Sequence, residues 1–367
     1  MVHRGDTLRI LHTADWQLGL RLNFVGGESA ARLRAARFDT VRHIGALARE
    51  HGVDAVVVAG DVFDDNGVGG DTLQQARDAL EAFGDVPVVL LPGNHDPATA
   101  DSALERLAPP RESVHVALAR APIALPGGTI YPCPLLSRHA WEDPAAWLPD
   151  RAGADGIAVA LAHGGALDFG DTTESPNRID VDAILARGYD YVALGDWHGL
   201  YRVNARAWYA GAPEATRFKE KQPGHVLLVE IDAPGAEPRV RELPVARTRW
   251  QAETRELLHD TDLDALEAWL HGLEEKSWTL LELTLTGQLS LAGHDRLETL
   301  LDDYADRLAL LRADAEAVQV APTDEDLDAL RGEGYLGRAI EVLRGGDARE
   351  DTDALRLMYR LMNEERP

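Results

Sequence analysis

Cysteine is almost missing from this chain: of 367 residues, Cys133 is the only one. A single thiol excludes an internal disulfide and any cysteine-rich metal site, and it fits a reducing compartment. Lysine is nearly as scarce, with Lys219, Lys221 and Lys276 the only three, so arginine carries most of the positive charge. That charge is itself in short supply: 37 basic residues stand against 62 acidic ones, a formal net charge of -25. A protein that grips nucleic acid or an anionic membrane by bulk charge is basic, so that mode of binding is excluded. No apolar stretch approaches the roughly 20 residues that span a bilayer. The start of the chain, Met1 through Arg4 and Asp6 into LRILHTA, lacks the apolar core and cleavage site of a signal peptide. The expectation is a soluble, cytoplasmic protein with no membrane association. An apolar fraction of 45% supports a sizeable core. The length suits two domains, or one large domain with an appendage.

The acidity is uneven. Residues 248–367 hold 28 acidic against 13 basic side chains, more than half of the net negative charge. Gly199 to His225 is locally basic, with Arg202, Arg206, Arg217, Lys219 and Lys221 against Glu214 and Glu220. Over the first 200 residues one unit recurs: an apolar, β-branched run that stops at Gly, Asp, Asn or His. LRILHTADW, DAVVVAGD, VPVVLLPGNHD, GIAVALAHG and YDYVALGDWH all follow it, and such runs predict buried strands. Helical stretches lie between them, at Ser29 to His51 and Asp71 to Phe83. Alternating strands and helices predict a layered α/β domain with its ligand site at the strand carboxyl ends.

Two further strands, near Trp208 to Pro213 and His225 to Asp232, complete a first domain over 1–247. From 248 to 322 the pattern is strand (Trp250 to Leu257), helix (Asp262 to Leu273), strand (Trp278 to Thr286), helix (Ala292 to Leu310), strand (Ala315 to Val320), an α+β unit. The pattern over residues 323–367 predicts two amphipathic helices separated by Gly345 and Gly346. Leu336, Ile340 and Leu343 share one stripe; Leu355, Met358, Tyr359 and Met362 share the next.

The strand ends supply Asp15 and Gln17, Asp61 and Asp64, Asn94 with His95 and Asp96, His163, then Asp196 and His198. Carboxylates, carboxamides and imidazoles suit a pair of hard or borderline divalent cations. A shared carboxylate can bridge two ions about 3.5–4 Å apart, an arrangement that serves phosphoryl displacement. Each group alone has a plainer reading: Asp15 as a helix cap, His163 as a satisfied turn histidine, Asp196 and His198 as an ordinary turn. Five such clusters, each straight after a buried strand, are poorly explained by turns alone.

GDVFD (Gly60 to Asp64) and GNHD (Gly93 to Asp96), with DWQLG before and LAHG and LGDWH after, resemble the calcineurin-like metallophosphoesterase superfamily. ILHTADWQLG with GDVFD and the later YAGAP is most similar to its SbcD-like DNA repair exonuclease branch. The motifs cover Leu8 to about Pro213. The resemblance implies a layered β-sandwich flanked by helices that hydrolyses DNA phosphodiester bonds in repair, as the nuclease subunit of an SbcCD-like complex. One metal ion would be held by Asp15, Gln17, Asp61 and His198, and the second by Asp61, Asn94, His163 and Asp196, with Asp61 bridging. His95 would stand beside the scissile bond, to stabilise the phosphoryl group or protonate the leaving oxygen. Asp96 would orient His95, and Asp64 a metal-bound water or a neighbouring loop. The resemblance further implies that the α+β unit is a capping domain, that the chain forms a homodimer attacking duplex ends 3′-to-5′, and that an SMC-like ATPase (SbcC-like) is its partner.

Two positions depart from the SbcD pattern, which has His where this chain has Gln17 and again where it has Asp196. Exchanging imidazole for oxygen favours Mn²⁺ or Mg²⁺, with Fe²⁺ and Zn²⁺ open. It also leaves open a degenerate, non-catalytic DNA-binding or scaffold subunit. A small-molecule or nucleotide phosphoesterase on the same scaffold is a further alternative. Trp16 and Trp197 either wall the pocket or pack in the core. Arg206, Arg217, Lys219 and Lys221 either contact phosphates beyond the scissile one or are solvated surface. The terminal helices either pack on their own domain or dock the ATPase.

Overall fold

The computed structural model describes residues 7–166, 175–321, 323, 335–344, 351, 354, 355, 357 and 358. Contacts divide the chain into two units, Met1–Thr248 and Arg249–Pro367. In chain order the first unit comprises β1 (Leu8–Thr13), α1 (Gly27–Glu50), β2 (Ala55–Val58), α2 (Gly70–Leu80), β3 (Val88–Leu90), α3 (Ala103–Arg106), β4 (Val114–Val116), β5 (Ile123–Leu125), β6 (Gly128–Cys133), β7 (Ile157–His163), β8 (Gly165–Ala166), β9 (Arg178–Ile179), α4 (Val181–Ala186), β10 (Tyr191–Gly195), β11 (Tyr201–Asn204), β12 (Ala207–Tyr209), β13 (His225–Ile231) and β14 (Arg239–Pro244).

Two six-stranded sheets carry this unit, in the orders β14-β13-β1-β2-β3-β4 and β11-β12-β10-β7-β6-β5. The central strands of each run parallel, β1 through β4 in one and β6, β7, β10 and β12 in the other. Side chains alternate across each strand. Ile10, Val57 and Val89 therefore enter the layer between the sheets, where they meet Ile130, Val159, Leu161 and Tyr191. Leu11, Val56, Val58, Val88 and Leu90 face the other way, onto the helical layer that includes Phe38, Val41 and Ile44 of α1. The buried positions of α1 recur at helical spacing, with Glu28 in the first turn and Arg49 in the last, as the helix dipole favours. Parallel strands need both faces covered, hence their continuous apolar runs. They also bring their carboxyl ends to one edge, where the polar residues after each run gather.

The second unit has β15 (Arg249–Leu257), α5 (Asp262–Gly272), β16 (Thr279–Leu289), α6 (Leu291–Ala305) and β17 (Leu310–Val320), then α7 (Tyr335–Arg344). Its three strands are parallel, in the order β15-β16-β17. Leu281, Leu283 and Leu285 pack on Leu263, Leu266, Leu270 and Leu297. Ile340 and Leu355 of the terminal region are buried on Leu291, with Val320, Leu343 and Met358 against them. Their own unit thus covers part of the apolar stripe; Tyr359 and Met362 lie outside the described residues. Among the described residues no helix is long and apolar enough to cross a membrane.

His12 is a buried polar group in the layer between the sheets. Its Nε2 lies 3.1 Å from the Leu194 carbonyl and its Nδ1 3.0 Å from the Tyr191 hydroxyl. A carbonyl only accepts, so Nε2 carries the proton and Nδ1 accepts from Tyr191. Burial pushes the imidazole down to about 3, against the opposing pull of the Leu194 carbonyl. The unfolded chain therefore takes up this proton near pH 6.5 while the folded one does not, and stability falls as pH drops from about 6.5 towards 3. His12→Gln should reduce that slope by up to about 1.4 kcal/mol per pH unit, read as the difference between variant and wild-type urea unfolding at pH 4–7.

Candidate metal centre

Four site residues have backbones in the left-handed region: Asp15 (φ 53°), Gln17 (φ 45°), Asp61 (φ 51°) and Asp196 (φ 98°). Such conformations cost about 1–3 kcal/mol each and persist only where the surroundings impose them. Here a ladder of backbone hydrogen bonds imposes them. Asp15 N–H donates to the Gly60 carbonyl (3.0 Å), Gln17 N–H to Asp61 (2.9 Å) and Leu18 N–H to Val62 (2.9 Å), so the loops after β1 and β2 run zipped together. Glycine makes room at two points. A Cβ at Gly60 would overlap the His163 ring, and one at Gly93 would overlap the Asp61 carboxylate.

The result is a buried triad of Asp15, Asp61 and His163 whose ligand atoms lie within 4.8 Å of one another. His163 Nδ1 donates to the Ala59 carbonyl (2.8 Å), which leaves Nε2 facing Asp61 Oδ1 at 3.5 Å and Asp196 Oδ1 at 3.7 Å. His198 Nδ1 donates to Glu220 Oε1 (2.7 Å), and its Nε2 accepts from Gln17 at 3.2 Å. His95 Nδ1 donates to the Asp64 carbonyl (2.8 Å), with Nε2 4.0 Å from Asp61 Oδ2. All three imidazoles are held at Nδ1; Nε2 faces Asp61 and Asp196 in His163, Gln17 in His198 and Asp61 in His95, and for His163 and His198 this is the arrangement that prepares histidine for a metal. Asn94, with its nitrogen turned inward, donates to both Asp61 oxygens (3.1 and 3.2 Å); turned over, it offers its carbonyl oxygen. Asp196 N–H donates to Asp15 at 3.2 Å.

The electrostatics of the cluster suit a bound cation. Burial raises the Asp15 carboxyl far above the usual range; His198 and His163 oppose the shift, while Asp61 and Asp196 add to it. Burial alone would lower His163, but Asp61, Asp15 and Asp196 outweigh it and hold the imidazole at about 9. Left to itself the cluster retains protons to balance its buried carboxylates. A divalent cation does the same task with the donors deprotonated.

The structure brings together Asp15, Gln17, Asp61, Asn94, His95, His163, Asp196 and His198, and it revises the expectations for Asp96 and Arg206. Asp96 does not orient His95. Its buried carboxylate accepts from Phe63 N–H (2.9 Å) and Gly93 N–H (2.7 Å), tying the Asp61 loop to the Asn94 loop. The residue holding His95 is Asp64, through its carbonyl, with its carboxylate 3.9 Å from Nδ1. Arg206 lies at the wrong end of the sheet for substrate. Its guanidinium donates to the carbonyls of Asp190 and Gly235, beside the start of β10, whereas the site lies beyond that strand's other end. Trp16 is core: it stacks on Phe83 at 6.3 Å and donates to Thr13 Oγ1 at 3.0 Å. Trp197 remains 39% exposed. Arg217 and Lys219 are exposed, with Arg217 Nε 3.4 Å from Glu220.

Three functional residues had no strand-end signature. Glu220 anchors His198, buried Glu214 binds the chain near Thr248, and buried Arg37 braces the Trp16 and Ala215 carbonyls. The only hint of the two glutamates was acidic residues inside a locally basic segment.

The calcineurin-like phosphoesterase family matches residues 8–229. Among curated relatives, the SbcD component of the nuclease SbcCD from Bacillus subtilis (strain 168) is 26% identical over 340 residues, 79% of this chain and 82% of that protein. The protein of the same name from Rhodobacter capsulatus is 39% identical over 122 residues, 31% of this chain and 28% of that one. Its counterpart in Escherichia coli (strain K12) is 32% identical over 163 residues, 41% of this chain and 37% of its own length.

If Asp96 is a tie between loops, Asp96→Ala strands two buried N–H donors. It should lower unfolding stability by about 1–3 kcal/mol per donor, measured by urea denaturation of the metal-free protein, where a residue serving only His95 would have no effect.

Proposed function

The chain belongs to the calcineurin-like phosphoesterase family, and from that premise we propose that it is a metal-dependent phosphodiesterase that hydrolyses DNA, as the nuclease subunit of an SbcCD-like complex. The observation that carries this reading is the buried Asp15–Asp61–His163 triad, with His163, His198 and His95 each anchored at Nδ1 beside it. Asp15, Gln17, Asp61 and His198 would hold one divalent cation, and Asp61, Asn94, His163 and Asp196 a second. When bound, such a pair supplies a nucleophile at neutral pH and neutralises charge developing on phosphate. The rich oxygen donor set, with Gln17 and Asp196 in place of imidazoles, supports Mn²⁺ or Mg²⁺.

His95 is the group left to move a proton. With Nδ1–H bound to Asp64, its Nε2 faces the cluster and, when protonated, donates to the leaving oxygen as the P–O bond breaks. The attacking water releases one proton to solvent as its oxygen bonds to phosphorus, and His95 takes one back from solvent, so protons balance over the cycle. Asp61 holds the His95 backbone, accepting its N–H at 2.9 Å, so the acid and the metal ligands share one frame. Arg217 and Lys219, exposed near His198, suit phosphates beyond the scissile one.

Residues 248–322 serve in this reading as the capping domain, and the C-terminal helices as the dock for an SMC-like ATPase. Val342 (74% exposed) and Leu357 (50% exposed) support docking, since both stand in solvent while Ile340 and Leu355 are buried.

Purified protein with Mn²⁺ should degrade end-labelled duplex DNA, and His95→Ala should slow this by about 10²–10⁴-fold without loss of bound metal. Single-stranded and circular DNA and bis-p-nitrophenyl phosphate complete the panel. Two bound ions with no turnover of any substrate would overturn the hydrolase reading; cleavage of the small diester alone would overturn DNA as substrate.

A further inference from the structure

The segment after β12 carries two buried carboxylates six residues apart, and they face different parts of the molecule. Glu220 Oε1 accepts from His198 Nδ1 at 2.7 Å, and Oε2 from Thr216 N–H at 2.9 Å. The Thr216 hydroxyl also donates to Glu220 Oε1 and lies 3.1 Å from His198 Nδ1. Glu214 instead accepts from Thr40 Oγ1 of α1 (2.6 Å), Arg247 N–H (2.6 Å), Thr248 N–H (3.1 Å) and the Thr248 hydroxyl. Thr248 ends the first unit, and Arg249 begins β15. Between the two glutamates, the Ala215 carbonyl accepts from Arg37 Nη2 (2.7 Å), whose Nη1 donates to the Trp16 carbonyl (3.2 Å), between Asp15 and Gln17.

We propose that Glu214–Glu220 is a positioning strap: Glu220 aims His198 at its metal, and Glu214 makes that aim depend on the Arg247–Thr248 junction. The inference rests on reading His198 as a metal ligand. An imidazole ring on one ligand loop has few restraints of its own. Its Nδ1 partner therefore sets where Nε2 points, and such partners typically change metal affinity 10–100-fold when removed. Glu214 is saturated by four donors, two of them backbone N–H groups at the junction. Displacement of Arg247 and Thr248 must either drag Glu214 or leave a buried carboxylate short of partners. The chain from Glu214 runs through Ala215, whose carbonyl Arg37 holds, directly to Thr216 and on to Glu220, so the displacement reaches both. A displacement at the Arg247–Thr248 junction would thereby tune one metal position.

Mn²⁺ binding to the full-length protein, followed by calorimetry and electron paramagnetic resonance, tests this. Glu220→Ala should weaken one of two ions by about 10–100-fold, and Glu220→Gln, which keeps an acceptor oxygen, should recover part of the loss. Glu214→Gln and the milder Thr248→Val, neither touching His198, should weaken the same ion several-fold. The Glu214→Gln/Glu220→Ala double variant should bind no worse than Glu220→Ala alone, because the two act in series. Wild-type affinity in Glu214→Gln and Thr248→Val, with only a lowered Tm, overturns the coupling. Two tightly held ions in Glu220→Ala overturn the positioning role. A wild-type protein that binds no ion removes the metal reading beneath both.

Discussion

Two carboxylates, Asp15 and Asp61, lie out of water at the ends of adjacent parallel strands, and the surrounding architecture accommodates them. Removing such groups from solvent is costly unless charge and hydrogen bonds compensate. Compensation arrives from every neighbouring strand end: His163 after β7, Asp196 and His198 after β10, Asn94 and His95 after β3. The left-handed backbones at Asp15, Gln17, Asp61 and Asp196 turn these side chains inward, and inter-loop hydrogen bonds keep them there. A cation is the remaining partner that lets the donors stay deprotonated together.

Parallel topology makes this possible. Each strand delivers its terminal residue to the same edge, so five loops far apart in sequence reach one volume. The inter-sheet core then fixes the two sets of loops against each other, since β1 and β2 belong to one sheet and β7 and β10 to the other. His12 adds a polar tie across that layer, joining β1 to Tyr191 and Leu194 of β10. The rigidity demanded of a metal site is thus supplied by packing beneath it.

The acidity of the chain takes on a different meaning beside this geometry. Asp15, Asp61 and Asp196 contribute to the negative charge for a local purpose, while the second unit holds more than half of it in 119 residues. In the proposed function, binding of a polyanion relies on cations in the site and on local groups such as Arg217 and Lys219. The net charge of -25 would repel a polyanion in bulk.

The five strands that end at the site, their order of polar endings and the eight gathered site residues were legible in the amino-acid sequence, because a buried parallel strand leaves an uninterrupted apolar run and stops abruptly; β4, β5 and β6 were not read there. That local record does not extend to partners chosen across the fold. Asp96 follows His95 directly, yet it serves the Phe63 and Gly93 N–H groups, since adjacent side chains on a tight loop point apart. Arg206 belongs to the same basic stretch as Arg217, but the short β11–β12 hairpin carries it to the far end of the sheet. Glu220 and Glu214 look like solvated charges in a basic loop; only the close passage of that loop by His198, α1 and Thr248 buries them. Periodicity and chain order determine which residues end a strand. Which of them meet, and which ordinary glutamate holds a histidine in place, is decided by three-dimensional contact between segments that sequence distance does not encode.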